Sequence, residues 1–148
     1  MKNDSALFYT CSLIEFIGRK QKLERSSVVN ALGKETVTRI YNYSDVFHCE
    51  VIDSVSDNFI ERCNIPKGNF DNVSDCKYSV PDYWDIGEVF ERLIEDVRKN
   101  DSVQETISAL FKVYDSWICK SISNYNSDFY YQSRDYIKEC FVENKLIA

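Results

Sequence analysis

Apolar residues recur three and four apart along nearly the whole chain, the spacing of helices with one face inward. The first helix starts at Asp4 or Ser5, both good N-caps, and carries Leu7, Phe8, Tyr9, Cys11, Leu13, Ile14, Phe16 and Ile17. An apolar arc this broad predicts a helix buried between others. Gly18 and the run Arg19-Lys20-Gln21-Lys22 are expected to end it, with cations at the favourable end of the helix dipole. Ser26-Ser27 then cap a short helix through Val28, Val29, Ala31 and Leu32, stopped at Gly33. A second short helix runs from Glu35 to Tyr43, and Ser44-Asp45 start a further turn through His48. Asp53 or Ser54 opens a helix with Val55, Phe59 and Ile60 on one side, ending before Pro66.

Residues 66–82 break the pattern. Pro66-Lys67-Gly68-Asn69 is turn chemistry, and Asn72, Ser74, Asp75, Ser79 and Pro81 keep the stretch irregular. Phe70, Val73, Tyr78 and Val80 imply that it lies against the body. Asp82 caps a helix reaching about Arg98, with Ile86, Val89, Phe90, Leu93, Ile94 and Val97 as its stripe. Asp101 or Ser102 caps what the stripe predicts to be the longest helix, continuous to Tyr125. Two helices joined by Lys99-Asn100 should form an antiparallel hairpin. Ser133 caps a last helix, Arg134 to about Glu143, with Asn144 at its end. The fold this describes is all-α: a compact bundle of six to seven helices in two packed lobes, 1–65 and 83–148, around the 66–82 connector.

Composition agrees. Four glycines and two prolines among 148 residues are too few for a turn-rich β fold. Ten tyrosines, nine phenylalanines and two tryptophans supply a large core. Net charge is −6, with nine basic and ten acidic residues up to position 74 and nine basic and fourteen acidic beyond it. A nucleic-acid binder draws most of its affinity from a basic face, so this balance argues against one. Six cysteines stand at least thirteen residues apart, and the polar segment Met1-Lys2-Asn3-Asp4-Ser5 gives no expectation of a signal peptide. Cys11, Cys49, Cys119 and Cys140 are expected as buried free thiols of a cytoplasmic protein. No apolar run approaches the roughly 18 residues of a membrane span.

Candidate chemistry is sparse. The single histidine, His48, follows Asp45 by three residues, a spacing that could orient a base, but no nucleophile motif accompanies it. His48, Cys49 and Cys63 lack the paired spacing of a structural zinc site, and the isolated glycines cannot cradle a phosphate. No catalytic site, metal or cofactor is assigned. Asp85, Glu88, Glu91 and Glu95 fall on the solvent side of their helix, a solvated face or a docking patch for a basic partner. Tyr125, Phe129, Tyr130, Tyr131 and Tyr136 form a dense aromatic cluster, suited to bracing the core or anchoring a partner. Residues 26–43, with Gly33 between two short helices and Thr36, Thr38 and Arg39 on the second, have a helix-turn-helix look. Arg19, Lys20, Lys22 and Arg25 lie nearby.

Several stretches resemble a family of short bacterial all-helical proteins of unknown function. They are Phe8-Tyr9-Thr10-Cys11-Ser12-Leu13-Ile14-Glu15-Phe16, Val28-Val29-Asn30-Ala31-Leu32, Ile40-Tyr41-Asn42-Tyr43-Ser44-Asp45-Val46-Phe47-His48 and Val51-Ile52-Asp53. In the second half, Trp84-Asp85-Ile86-Gly87-Glu88-Val89-Phe90, Ser123-Asn124-Tyr125-Asn126 and Tyr130-Tyr131-Gln132-Ser133-Arg134-Asp135-Tyr136-Ile137 resemble a companion segment. Members are often encoded beside ADP-ribosyltransferase-like toxins, mainly in gut Firmicutes. The resemblance implies a protein partner, a neighbouring toxin, and an antitoxin-like or regulatory role, with His48 as the signature position. It carries no established activity. The alternative is a DNA-binding regulator reading through 26–43. A membrane role is not expected, and self-association is compatible with the sequence.

Overall fold

Asp4 starts the first helix as its residue type predicts: its carboxylate accepts from the Leu7 N–H at 3.0 Å. The computed structural model describes residues 4–147, and all regular structure among them is helical. The first helix, α1 (Ser5–Gln21), is buried on nearly every side, as its broad apolar arc requires. Gly18 does not end it. The chain leaves at Lys22, which takes the left-handed conformation (φ 55°, ψ 54°), and the Leu23 N–H bonds back to the Gly18 carbonyl at 3.0 Å. Gly18 serves packing instead, because a Cβ there would stand 3.2 Å from the Leu23 carbonyl oxygen.

Helix α2 (Arg25–Asn42) is bent at Gly33, whose φ of 82° only glycine adopts freely. The two short helices expected here are its two arms, with Val28, Val29, Leu32, Val37 and Ile40 inward. The turn α3 (Ser44–Phe47) and α4 (Ile52–Arg62) follow. No helix interrupts residues 63–82. Phe70 and Val73 of that connector are half-buried, whereas Tyr78 and Val80 project outward. Backbone bonds from Gly68 to the Gln21 carbonyl (2.8 Å) and from Phe70 to the Lys22 carbonyl (3.0 Å) hold the connector against the end of α1.

Helix α5 (Tyr83–Val97) opens with a reciprocal cap. Asp82 accepts from the Asp85 N–H at 2.7 Å, and Asp85 accepts from the Asp82 N–H at 3.1 Å. The long helix expected after Ser102 is instead two: α6 (Val103–Tyr114) and α7 (Trp117–Ser123). Ser116 leaves helical geometry (φ −87°, ψ 165°), and its hydroxyl donates to the Val113 carbonyl at 2.6 Å. A serine hydroxyl competing for helix carbonyls favours such an end. The apolar stripe continues past the break because Ile118, Cys119 and Ile122 still turn inward, so periodicity alone cannot show it. A 3₁₀ turn (Phe129–Tyr131) leads to α8 (Arg134–Glu143), capped by Ser133 and closed by a left-handed Asn144.

Helix α1 lies antiparallel on α5, and this is the most extensive helix pair. It crosses the expected lobe boundary, so buried residues from both halves share one core. Among the described residues, no helix is long and apolar enough to cross a membrane.

Candidate functional site

An apolar concavity with convergent polar groups, a half-open cleft of about 500 Å³, lies between α5, residues 79–81, the 3₁₀ turn and the start of α8. That volume falls in the ordinary range for ligand and side-chain pockets, roughly 300–1,000 Å³. Its floor is Leu93 and Ile137, both buried, with Val80, Pro81 and Val89 as flanks. Asp85, Glu88, Arg92, Tyr130 and Tyr131 form its mouth. Positions 85, 88, 89, 92 and 93 share one strip of α5, since neighbours on a helix surface are three and four apart.

Two arginine networks fix the walls. Behind the cleft, the buried Glu15 carboxylate of α1 pairs with Arg25 of α2 and with Arg19 at 2.8 Å. Tyr125 joins them, donating to Glu15 at 2.7 Å and accepting from Arg25 at 2.7 Å. Arg25 also bonds the Ser123 hydroxyl and lies 5.0 Å above the Phe90 ring. Arg19 reaches on to the Pro81 carbonyl at 2.6 Å. One ionic cluster therefore holds residue 81 and, through the edge-on contact of Tyr125 with Tyr130 (5.6 Å), the tyrosine turn. Burial alone would raise the Glu15 carboxyl, but Arg25 and Arg19 beside it hold it below the usual carboxylate range. On the other wall, Arg134 of α8 makes a fork onto Asp96 (2.8 and 2.9 Å) and a bond to Glu95 (2.9 Å), clamping α8 to α5.

The structure brings Glu88, Tyr130 and Tyr131 of the expected contact residues into this cleft, with Asp85. Glu91 and Glu95 are not on a solvated face. Glu91 is 3% exposed, and the Glu95 side chain is likewise 3% exposed. The α8 helix and the N-terminus of α1 cover them, and Asp4 donates its backbone N–H to Glu95 at 2.7 Å. Glu91 Oε2 is buried with no bonding partner among the described residues. Burial, together with Glu95 and Glu88 close by, pushes its carboxyl up to about 8. Tyr125 is a buried member of the ionic cluster and is not available at the surface. Tyr136 sits outside the cleft, its hydroxyl donating to the Ile147 carbonyl at 2.7 Å.

His48 and Asp45 are also outside it. His48 is exposed and rests edge-on against Tyr9 (5.6 Å) and Trp84 (6.2 Å). Asp45 accepts from the Val46 N–H at 3.0 Å, and among the described residues it makes no bond to His48. Cys49 is exposed, not buried, because it follows the end of α3 where the chain turns outward; Cys11, Cys119 and Cys140 are buried, and all six thiols are free. Among the described residues, no group of three or more His, Cys, Asp or Glu could hold a metal ion. The positive charge expected near 26–43 is neutralised internally: Arg19 and Arg25 by Glu15, Lys20 by Asp53 and Asp57, Lys22 by Asp71.

Sequence reasoning missed Val80, Pro81, Arg92, Arg134 and Ile137 as parts of one site, because the cleft forms only when α8 returns to α5. The one local signal was Arg134 beside the tyrosines, a cation following an aromatic pair. Comparisons with protein-family models, with curated proteins and with solved structures find no match to this chain.

Proposed function

We propose that the chain is a non-enzymatic protein-interaction module that holds a segment of a partner protein in the cleft between α5 and the Tyr130-Tyr131 turn. The supporting observation is the cleft's construction: an apolar floor, a polar and aromatic mouth, and walls fixed by two internal arginine networks. Fixed walls lower the ordering cost of binding, and tyrosine is a favoured anchor at interfaces. The lining combines carboxylates, phenols, guanidinium groups and apolar side chains, a mixture suited to recognising a polypeptide segment. The partner implied by the family resemblance is the product of a neighbouring reading frame, a toxin of the ADP-ribosyltransferase type, with this chain acting as its antitoxin or regulator in the cytoplasm. DNA reading through 26–43 ranks second, because the nearby cations are paired within the fold.

The test is co-expression of the tagged chain with the product of the adjacent reading frame. Stable co-purification that falls sharply with Tyr131→Ala supports the reading. Co-purification unaffected by Tyr131→Ala and Val89→Arg removes the cleft from it, and no association removes the partner assignment.

A further inference from the structure

The charges around the cleft are unevenly matched. Arg92 is paired with Glu88 (3.2 Å), and Arg134 is held by Glu95 and Asp96, so both lining arginines are already neutralised from within the chain. Among the described residues, Asp85 has no cationic partner, and its carboxylate accepts only the Asp82 N–H of the helix cap. Asp85 lines the same cleft as two tyrosine rings packed edge-on 5.0 Å apart, Tyr130 and the two-thirds exposed Tyr131. A carboxylate beside exposed aromatic faces is the arrangement that attracts a cationic side chain, through Coulomb attraction and the ring quadrupole together. Further along α5 the lining becomes apolar at Val89 and Leu93, joined by Ile137 of α8. The surrounding half of the chain carries nine basic against fourteen acidic residues, so the field at the mouth also favours a basic partner.

We infer that the cleft selects a partner segment presenting an arginine to Asp85, Tyr130 and Tyr131 with an apolar side chain behind it against Val89, Leu93 and Ile137. This rests on the interaction reading above and specifies its occupant: a basic, apolar-anchored stretch of a partner protein. The arginine contributes orientation and on-rate, and the apolar anchor sets residence time. Arg92 shares the mouth with Asp85, but its pair with Glu88 is half exposed on both sides and of the kind that exchanges readily.

A short fluorescent synthetic peptide of arginines and leucines is the probe, titrated against the folded chain by anisotropy at low and raised salt. Controls replace every arginine with glutamate, or every leucine with serine. The expected result is binding of the arginine–leucine peptide only, weakening with salt. Tyr131→Ala should weaken it about tenfold, and Tyr131→Phe should retain it. Tyr131 is largely exposed, so its removal leaves the fold intact. Val89→Arg, which brings a like charge to the cleft, should weaken it at least as much. Equal binding of the glutamate peptide, or binding unaffected by Tyr131→Ala and Val89→Arg, overturns the inference. If the adjacent gene product still binds at the cleft while the arginine–leucine peptide does not, the occupant's chemistry is wrong and the interaction reading stands. If neither binds, both fall.

Discussion

Gly87 and Ser12 meet where α5 crosses α1, and the approach leaves no room for a side chain. A Cβ at 87 would lie 2.1 Å from the Ser12 hydroxyl oxygen and 2.9 Å from both its Cα and its backbone nitrogen. Two of those atoms are backbone and cannot turn aside. Alanine at 87 would gain about 1 kcal/mol of helix propensity. Forcing the helices apart should outweigh this, so Gly87→Ala is expected to lower stability by a net of about 2 kcal/mol or more. The midpoint of urea unfolding, read by circular dichroism, checks it. Ser12→Ala should be neutral or mildly stabilising, because the hydroxyl it removes is buried without a bonding partner among the described residues.

The Glu15–Arg25 pair is the centre of the larger ionic cluster, with both side chains about one-twentieth exposed. Arg25→Met removes one partner and leaves the buried carboxylate with the Arg19 cation and the Tyr125 hydroxyl. A loss of about 3–5 kcal/mol is expected. Arg25→Lys should recover only part of it, since one ammonium cannot reproduce the contacts to Glu15, Tyr125 and Ser123. Because Glu15 is held below the usual carboxylate range, its contribution is present above the unfolded-state value and is lost as pH falls through the folded one. Acid unfolding should therefore begin at higher pH in Arg25→Met than in the parent chain.

Glu91 titrates in the opposite sense. Its carboxyl is raised from the ordinary 4.5 to about 8. The folded state therefore binds the proton more tightly than the unfolded chain. The stabilisation is complete below pH 4.5 and is lost as pH rises toward about 8. The facing charges are Glu88 and Glu95 on α5, Arg134 on α8 and Asp4 on α1. Glu91→Gln keeps the shape without the charge. It should match the parent chain near pH 4 and exceed it by roughly 1–3 kcal/mol at pH 9. Parallel curves for the two proteins across this range would show that Glu91 is not protonated in the fold.

Thiol accessibility separates the six cysteines. Cys49 is exposed, Cys63 and Cys76 are half-buried, and Cys11, Cys119 and Cys140 are enclosed. Burial also pushes the Cys11 thiol well above its ordinary range, which suppresses the reactive thiolate. A thiol reagent at neutral pH should label Cys49 first. Cys11, Cys119 and Cys140 should react only on unfolding, and mass mapping of the labelled peptides reads the order.

Much of the fold was legible because its signals are local. The caps at Asp4, Asp82, Ser102 and Ser133, the bend at Gly33 and the left-handed end at Asn144 each depend on a few adjacent residues. The break at Ser116 was not legible, since the apolar stripe runs through it unchanged. Cys49 reads as apolar by its neighbours, yet the chain turns it outward. At the cleft, Glu88, Tyr130 and Tyr131 could be singled out by type. Their assembly could not, because it depends on Arg134 reaching Glu95 and Asp96 nearly forty residues away. The same contact buries Glu95 and helps enclose Glu91, which helical spacing alone assigns to solvent.

Hydrogen–deuterium exchange on the chain, alone and bound to the product of the adjacent reading frame, tests the interaction reading most directly. Binding at the cleft predicts added protection confined mainly to residues 79–93 and 130–137, absent in Tyr131→Ala. Protection centred on residues 26–43 or around His48, with the cleft unchanged, would contradict it.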